Sequence, residues 1–233
     1  MRKKIEDLQK NINVKFKDLD ILKQAVTHRS YINEHQDDAA SKLGHNERLE
    51  FLGDAVLELV VTEYLYLKYS NPEGELTNWR ASLVNSKMLA TIAREIGLND
   101  YLYLSKGESQ DKESKARSYI LANAMEAVIG AIYIDKGMKK AKEFITDHIL
   151  VNLEEIIENQ LYLDPKSRFQ EVSQEREGIT PSYRVLKETG PDHKKHFVIG
   201  VFLGDKMIAK GEGYSKQEAQ TDAAQKALNK KSK

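Results

Sequence analysis

The chain has no cysteine, which excludes disulfides and thiolate metal sites and fits a reducing, cytoplasmic setting. No apolar run approaches the roughly 18 residues that a membrane-spanning helix needs, so no membrane association is expected. The opening Met1-Arg-Lys-Lys-Ile-Glu has no apolar stretch of the secretory kind. No G-x-x-x-x-G-K-[ST] appears, so no nucleotide cofactor is expected. The histidines at 28, 35, 45, 148, 193 and 196 show no metal-ligand spacing. Internal repeats and low-complexity tracts are also missing. What remains is a chain of 233 residues, 40% hydrophobic and 31% charged, enough for a real core and a soluble surface in one large or two modest domains.

The net charge of zero hides a division. Residues 160–233 carry 14 Lys and Arg against 10 Asp and Glu, a net of +4; residues 1–159 carry 22 against 26, a net of −4. A basic segment joined to an acidic one suits a polyanion-binding module beside a domain that uses its carboxylates otherwise. Charge drift between two domains gives the same split, so this alone decides nothing.

Up to about residue 158 the apolar period is helical. Leu8, Ile12 and Val14 precede a Phe16–Leu22 segment, and Asn46–Tyr69, Leu76–Ile96, Tyr119–Lys136 and Met138–Asn159 each read as a helix. Breakers fall at Asn71-Pro72-Glu73-Gly74, at Gly97-Leu98-Asn99-Asp100 and at Asp135-Lys136-Gly137. Residues 35–45 are polar and read as a mobile loop. The pattern changes at Asp164-Pro165, a good helix start, which predicts a short helix over 165–176. Alternating stretches Tyr183–Glu188, His196–Leu203 and Lys206–Gly213, bounded by turn residues, read as a three-strand meander. Ser215-Lys-Gln-Glu218 is a capping box opening a last, alanine-rich helix. The reading is therefore multidomain: an all-α domain over 1–158, a short polar linker over 159–164, and a small α+β domain of order α-β-β-β-α over 165–233.

Two constellations in the first domain bear on chemistry. In Glu47-Arg-Leu-Glu50-Phe-Leu-Gly-Asp54 the three acids share one helix face at i, i+3 and i+7. Such a stripe is more often a solvated face. Its place at the start of the most apolar helix, beside Gly53 where a neighbour could pack closely, argues for more. In Tyr119-Ile-Leu-Ala-Asn123-Ala-Met-Glu126, Asn123 and Glu126 share one face of an otherwise apolar helix. A carboxylate in such surroundings needs a proton, a cationic partner such as Arg117, Arg48 or Lys87, or a metal ion. If the two helices face each other, their oxygens form a hard-cation site of the Mg²⁺ type, suited to activating water for phosphodiester hydrolysis.

These residues resemble ribonuclease III. Glu47–Leu57 (ERLEFLGDAVL) matches that family's signature. Thr27-His-Arg-Ser, Leu83-Val-Asn85, Lys106-Gly-Glu108 and Glu126-Ala-x-x-Gly-Ala-x-Tyr133 follow in the family's order. The resemblance implies a helical endonuclease domain that forms a homodimer, each subunit holding one acidic site along a shared valley for duplex RNA. It implies Glu50, Asp54 and Glu126 as metal-binding and catalytic residues, with Asp54 and Glu126 carrying catalysis and Glu50, Asn123 and Glu126 the metal. Glu47 is implied as an accessory acid, and Glu73 as an acid that approaches the partner subunit's site. The cofactor implied is Mg²⁺, with Mn²⁺ as a substitute. Asn123 departs from the pattern, since the family usually has Asp there; Asn keeps a carbonyl oxygen but removes one negative charge.

The C-terminal segment resembles a double-stranded-RNA-binding domain, a fold that reads A-form shape through two minor grooves and the phosphates between them. Matched motif to motif, Gln170 and Glu171 face one minor groove and His193 stands at the tip of a loop entering another. Lys216, at a helix N-terminus capped by Ser215, meets phosphates. The family commonly has lysine where Gln217 stands and often a basic residue at Gln220, which implies weaker phosphate binding here. The activity implied is cleavage of double-stranded RNA to 5′-phosphate and 3′-hydroxyl ends with short 3′ overhangs, acting on ribosomal-RNA precursors and structured transcripts. The alternative is a cleavage-defective RNA-binding regulator, disabled by Asn123. A third reading, a helical protein–protein scaffold, predicts no salt-sensitive binding to duplex RNA.

Overall fold

A computed structural model describes residues 3–110, 114–191 and 194–231. His193 lies outside the described residues. The chain divides into two compact units between Tyr162 and Leu163. Among the described residues no helix is long and apolar enough to cross a membrane.

The first unit is helical: α1 (Ile5–Asn11), α2 (Leu19–Ala25), α3 (Arg29–Glu34), α4 (Ala39–Lys42), α5 (Glu47–Lys68), α6 (Glu73–Val84), α7 (Ser86–Glu95), α8 (Lys106–Gln110), α9 (Lys115–His148) and α10 (Leu153–Glu158). From Ala127 to Ile132 every residue of α9 is buried, so this stretch is apolar all round and can only be a central helix. α5 lies across it, with Leu49, Gly53, Val56, Leu57, Val60, Val61 and Leu65 buried. At the point of closest approach each helix presents a glycine. A Cβ on Gly53 would sit 1.8 Å from the Glu126 carbonyl oxygen, and one on Gly130 would sit 2.2 Å from that of Leu49. Two glycines therefore let the backbones approach closer than any alanine could.

The elements differ from the sequence expectation in four places, each with a local cause. The helix expected over Leu76–Ile96 is two helices. Asn85 divides them: its amide donates to Ala81 O (3.0 Å) and Ser82 O (2.8 Å), while its Oδ1 accepts from Met88 N at 2.9 Å. One side chain thus closes α6 and caps α7. The helix expected over Met138–Asn159 follows a break at Gly137 (φ 78°, ψ 176°) but ends at His148, and a 3₁₀ turn over Leu150–Asn152 leads into α10. Residues 35–45 are not a free loop, because Asp38 caps α4 through Ala40 N at 2.7 Å and Ala40 is fully buried. The expected linker is partly docked: Tyr162 packs edge-on against Trp79, ring centroids 6.1 Å apart.

The second unit is α11 (Pro165–Glu177), β1 (Ser182–Thr189), β2 (His196–Leu203), β3 (Lys206–Gly213) and α12 (Lys216–Lys231). The strands form an antiparallel sheet in the order β1-β2-β3, with Tyr183 opposite Val201 and Val201 opposite Ala209. Phe169, Val201, Leu203, Ala209, Ala223, Ala224, Ala227 and Leu228 make its core. The alanines of α12 are small for a reason. Gly211 of β3 comes so near α12 that a Cβ would meet Ala223 N at 2.1 Å.

Candidate active site and nucleic-acid interface

The α5–α9 crossing determines where the acids stand. Gly53 abuts the backbone of Glu126, so Glu50 and Asp54, three before Gly53 and one after it, flank the Asn123–Glu126 turn. Burial, then Asp54, Glu50 and Glu58, pushes the Glu126 carboxyl up to about 7. Burial and the charge of Glu47 raise Glu50. The Asn123 amide, hydrogen-bonded to it, works the other way, and Asp54 adds a smaller upward push. The structure therefore brings Glu50, Asp54, Asn123 and Glu126 into one group. Arg117, Arg48 and Lys87, the cations that the sequence left open as partners, are not among the charges acting on Glu126; those charges are all acids.

Glu58 was not found from the sequence. It stands one turn beyond Asp54, and extending the i, i+4 spacing by one step would have reached it. Its carboxylate pairs with Arg80 Nε of α6 at 3.1 Å, and Arg80 also donates to Thr62 at 2.9 Å. Glu47 stands at the edge of the group, with Arg29 3.8 Å and His45 3.7 Å from its carboxylate. Arg29 is placed there by the Thr27–Ser30 turn, in which buried Thr27 bonds Lys23 O and the ring of His28 meets Ser30. Glu73 is not brought to this group. It opens α6, accepts from Thr77 at 3.0 Å, and lines a groove with Tyr66, Tyr69, Leu76 and Arg80.

Fit to a metal ion follows from this donor set. Among the described residues, no three of His, Asp and Glu stand close enough to hold an ion by themselves. Glu50, Asp54 and Glu126 thus lie within electrostatic reach of one another without closing on one point, and Asp54 is the exposed member. A Mg²⁺-type ion takes one or two carboxylates and keeps several waters. Glu50, Glu126 and the Asn123 carbonyl oxygen are donors of the kind that such an ion takes.

In the second unit Gln170 and Glu171 are exposed on α11. Half of the expected capping box forms: Ser215 Oγ accepts from Glu218 N at 3.1 Å, while Glu218 Oε2 reaches one residue past the cap and accepts from Tyr214 N at 3.0 Å. It leaves Lys216 exposed at the first turn of α12, its ammonium 5.8 Å from the Phe197 ring centroid. Among the described residues a polar bridge joins the two helices, Lys166 Nζ donating to Gln220 Oε1 at 2.8 Å.

Comparison with known proteins agrees with both units. A Ribonuclease-III-like family model matches residues 18–153, and a double-stranded RNA binding motif matches residues 165–231. Ribonuclease 3 of a Nitratiruptor species is 40% identical over 227 residues, covering 97% of this chain and 96% of that protein. Ribonuclease 3 of Enterococcus faecalis is 41% identical over 223 residues, 95% of each. The solved nuclease domain of ribonuclease III from Campylobacter jejuni is 39% identical with a TM-score of 0.54, over 64% of this chain and 98% of that one. Near-complete likeness to named ribonucleases does not favour the reading of a binder disabled by Asn123, whose side chain still engages Glu50. The chain belongs to the ribonuclease III family, metal-dependent in general, and is an endoribonuclease of double-stranded RNA.

Proposed function

We propose that the α5–α9 acids hold Mg²⁺, replaceable by Mn²⁺, and that each site hydrolyses one phosphodiester of an RNA duplex, leaving 5′-phosphate and 3′-hydroxyl ends with short 3′ overhangs. The observation that carries this reading is Glu126, pushed up to about 7 by burial and by three carboxylates, with no cation among its partners in the described residues. A group of like charges held at a helix crossing is costly unless a cation is its working partner. When bound, the ion supplies an acidified water and a counter-charge for the phosphoryl oxygens. Glu50 and Glu126 would hold it, with the Asn123 carbonyl oxygen as a neutral third donor. Asp54, exposed at the rim, orients water for in-line attack. Glu47, with the Arg29 guanidinium 3.8 Å from its carboxylate, adds negative charge at the edge.

Gln170, Glu171, Ser215 and Lys216 would position the duplex, together with His193. Assembly as a homodimer is supported by the apolar side of α5, where Phe51 is 81% and Tyr66 77% exposed. The Campylobacter jejuni nuclease domain has a region involved in dimer formation. Glu73 would then serve the partner's site. The cellular substrates proposed are ribosomal-RNA precursors and structured transcripts of the cytoplasm. The test is cleavage of a long RNA duplex with Mg²⁺, with and without chelator, beside Glu126→Gln. Intact RNA under conditions where the protein visibly binds it would overturn the proposal.

A further inference from the structure

The second unit carries a cation that no sequence motif marks. Lys166 lies in the first turn of α11, four residues before Gln170 and hence on the same side of that helix. Its ammonium crosses to α12 and donates to Gln220 Oε1 at 2.8 Å. Gln220 is four residues after Lys216, again on one side of its helix. The Lys166 ammonium therefore stands where the exposed side of α11 meets the exposed side of α12, about 6 Å further along α12 than Lys216. That separation is comparable to the step between successive phosphates of one strand.

The ammonium is held in a way that leaves it able to act. It lies 5.4 Å from the centroid of the Tyr183 ring, on β1, which fixes a second side of it. Of its three donors one is used by Gln220, so hydrogens remain for an anionic oxygen. The nearest acid in sequence, Asp164, is engaged elsewhere, accepting from Lys166 N at 3.1 Å and Ser167 N at 3.2 Å. A lysine already immobilised by an amide and a ring loses less side-chain entropy on binding than a free surface lysine.

We propose that Lys166 is a phosphate-binding residue for duplex RNA, delivered from α11 to the position on α12 that Gln220 occupies without charge. It extends the phosphate contact of Lys216 by one turn and joins it to the groove-facing side that carries Gln170. The inference rests on the reading that this unit grips RNA through the Lys216 end of α12.

The test is fluorescence anisotropy of the full chain with a labelled RNA duplex in EDTA, across a series of KCl concentrations. Lys166→Gln removes the charge and keeps a polar amide at this position. The expected result is a slope of log affinity against log salt smaller by about 0.9, with roughly eightfold weaker binding near ~0.1 M salt. Lys166→Arg keeps the wild-type slope. An unchanged slope for Lys166→Gln overturns the proposal, as does a loss of affinity equal at every salt concentration, which marks a purely structural tie. Lys216→Gln serves as the reference: if it also leaves the slope unchanged, the α12 reading itself has failed. Should Lys166→Gln not fold, amine labelling of the wild-type chain decides. Protection of Lys166 by duplex RNA supports the contact, and equal labelling with and without RNA refutes it.

Discussion

Glu126 shows how far a single residue could be read. Its apolar surroundings in the sequence already required a proton, a cation or a partner, and the structure removes the partner by surrounding it with acids. The consequence for pH has a definite sign. The folded chain holds this proton more tightly than the unfolded chain, whose value is 4.5. The contribution to stability is complete below 4.5 and is lost as pH rises through about 7. A shift of that size is worth about 3 kcal/mol at full strength, and screening at this part-exposed side chain reduces it to roughly 1–2 kcal/mol. In EDTA, wild type should therefore lose that much stability relative to Glu126→Gln between about pH 5 and about pH 8. Urea denaturation at the two pH values measures it; parallel curves would mean that Glu126 is not the group under strain. Asn123 makes a second residue-scale prediction. Asn123→Asp exchanges a donor to Glu50 for another negative charge, so the metal-free chain should lose about 1–3 kcal/mol. Mg²⁺ should restore more stability to the variant than to wild type, and the half-saturating Mg²⁺ for cleavage should fall. The sequence marked Asn123 as a departure but gave no sign that its amide steadies Glu50, because that bond runs between helices.

Elements were legible where one side chain or one period sets them. The meander of the second unit and the α12 cap follow from alternation and from a capping box, both local. Ser215→Ala should accordingly cost about 1 kcal/mol of that unit's stability without moving the acids of the α5–α9 crossing. The division between α6 and α7 was missed because the apolar period runs straight through Asn85, and only its paired bonds to both helices reveal a boundary. The crossing of α5 and α9 was half legible. Gly53 stood out as a place for close packing, but nothing in the sequence pointed from it to the Glu126 backbone. Gly53→Ala is the sharpest element-scale test. Its Cβ would fall 1.8 Å from a backbone oxygen that cannot swing aside, so the helices must separate. Overpacking of this kind costs about 3 kcal/mol or more. Because the displaced oxygen belongs to Glu126, cleavage should fall even at temperatures where the variant stays folded. Wild-type cleavage in a folded Gly53→Ala would mean that the acids tolerate a looser crossing.

At the scale of the whole molecule, the charge division between −4 and +4 has a physical reading, with acids gathered at one crossing and cations spread over the RNA-facing unit. Binding and cleavage should therefore come apart experimentally, and the proposed homodimer offers the means. Phe51, Leu59 and Tyr66 are 81%, 58% and 77% exposed. At about 100° per residue they fall within roughly 80° of one another on α5, away from the face that buries Leu57 and Val61. An exposed apolar strip of this kind is unusual on a monomer. In a two-fold interface each change acts twice. Phe51→Asp should thus cost about 3–6 kcal/mol of association from lost burial, or ~10²–10⁴ in dimer Kd. Light scattering should show half the wild-type mass. Salt-dependent duplex binding in EDTA should keep its slope per protomer, since α11 and α12 are untouched. Cleavage should fall steeply if, as proposed, the duplex lies between two subunits and each site needs its partner's Glu73. Unimpaired cleavage by a monomeric Phe51→Asp would show that a single α5–α9 crossing is a complete active site, and would leave the apolar strip of α5 to be explained by something other than a second copy.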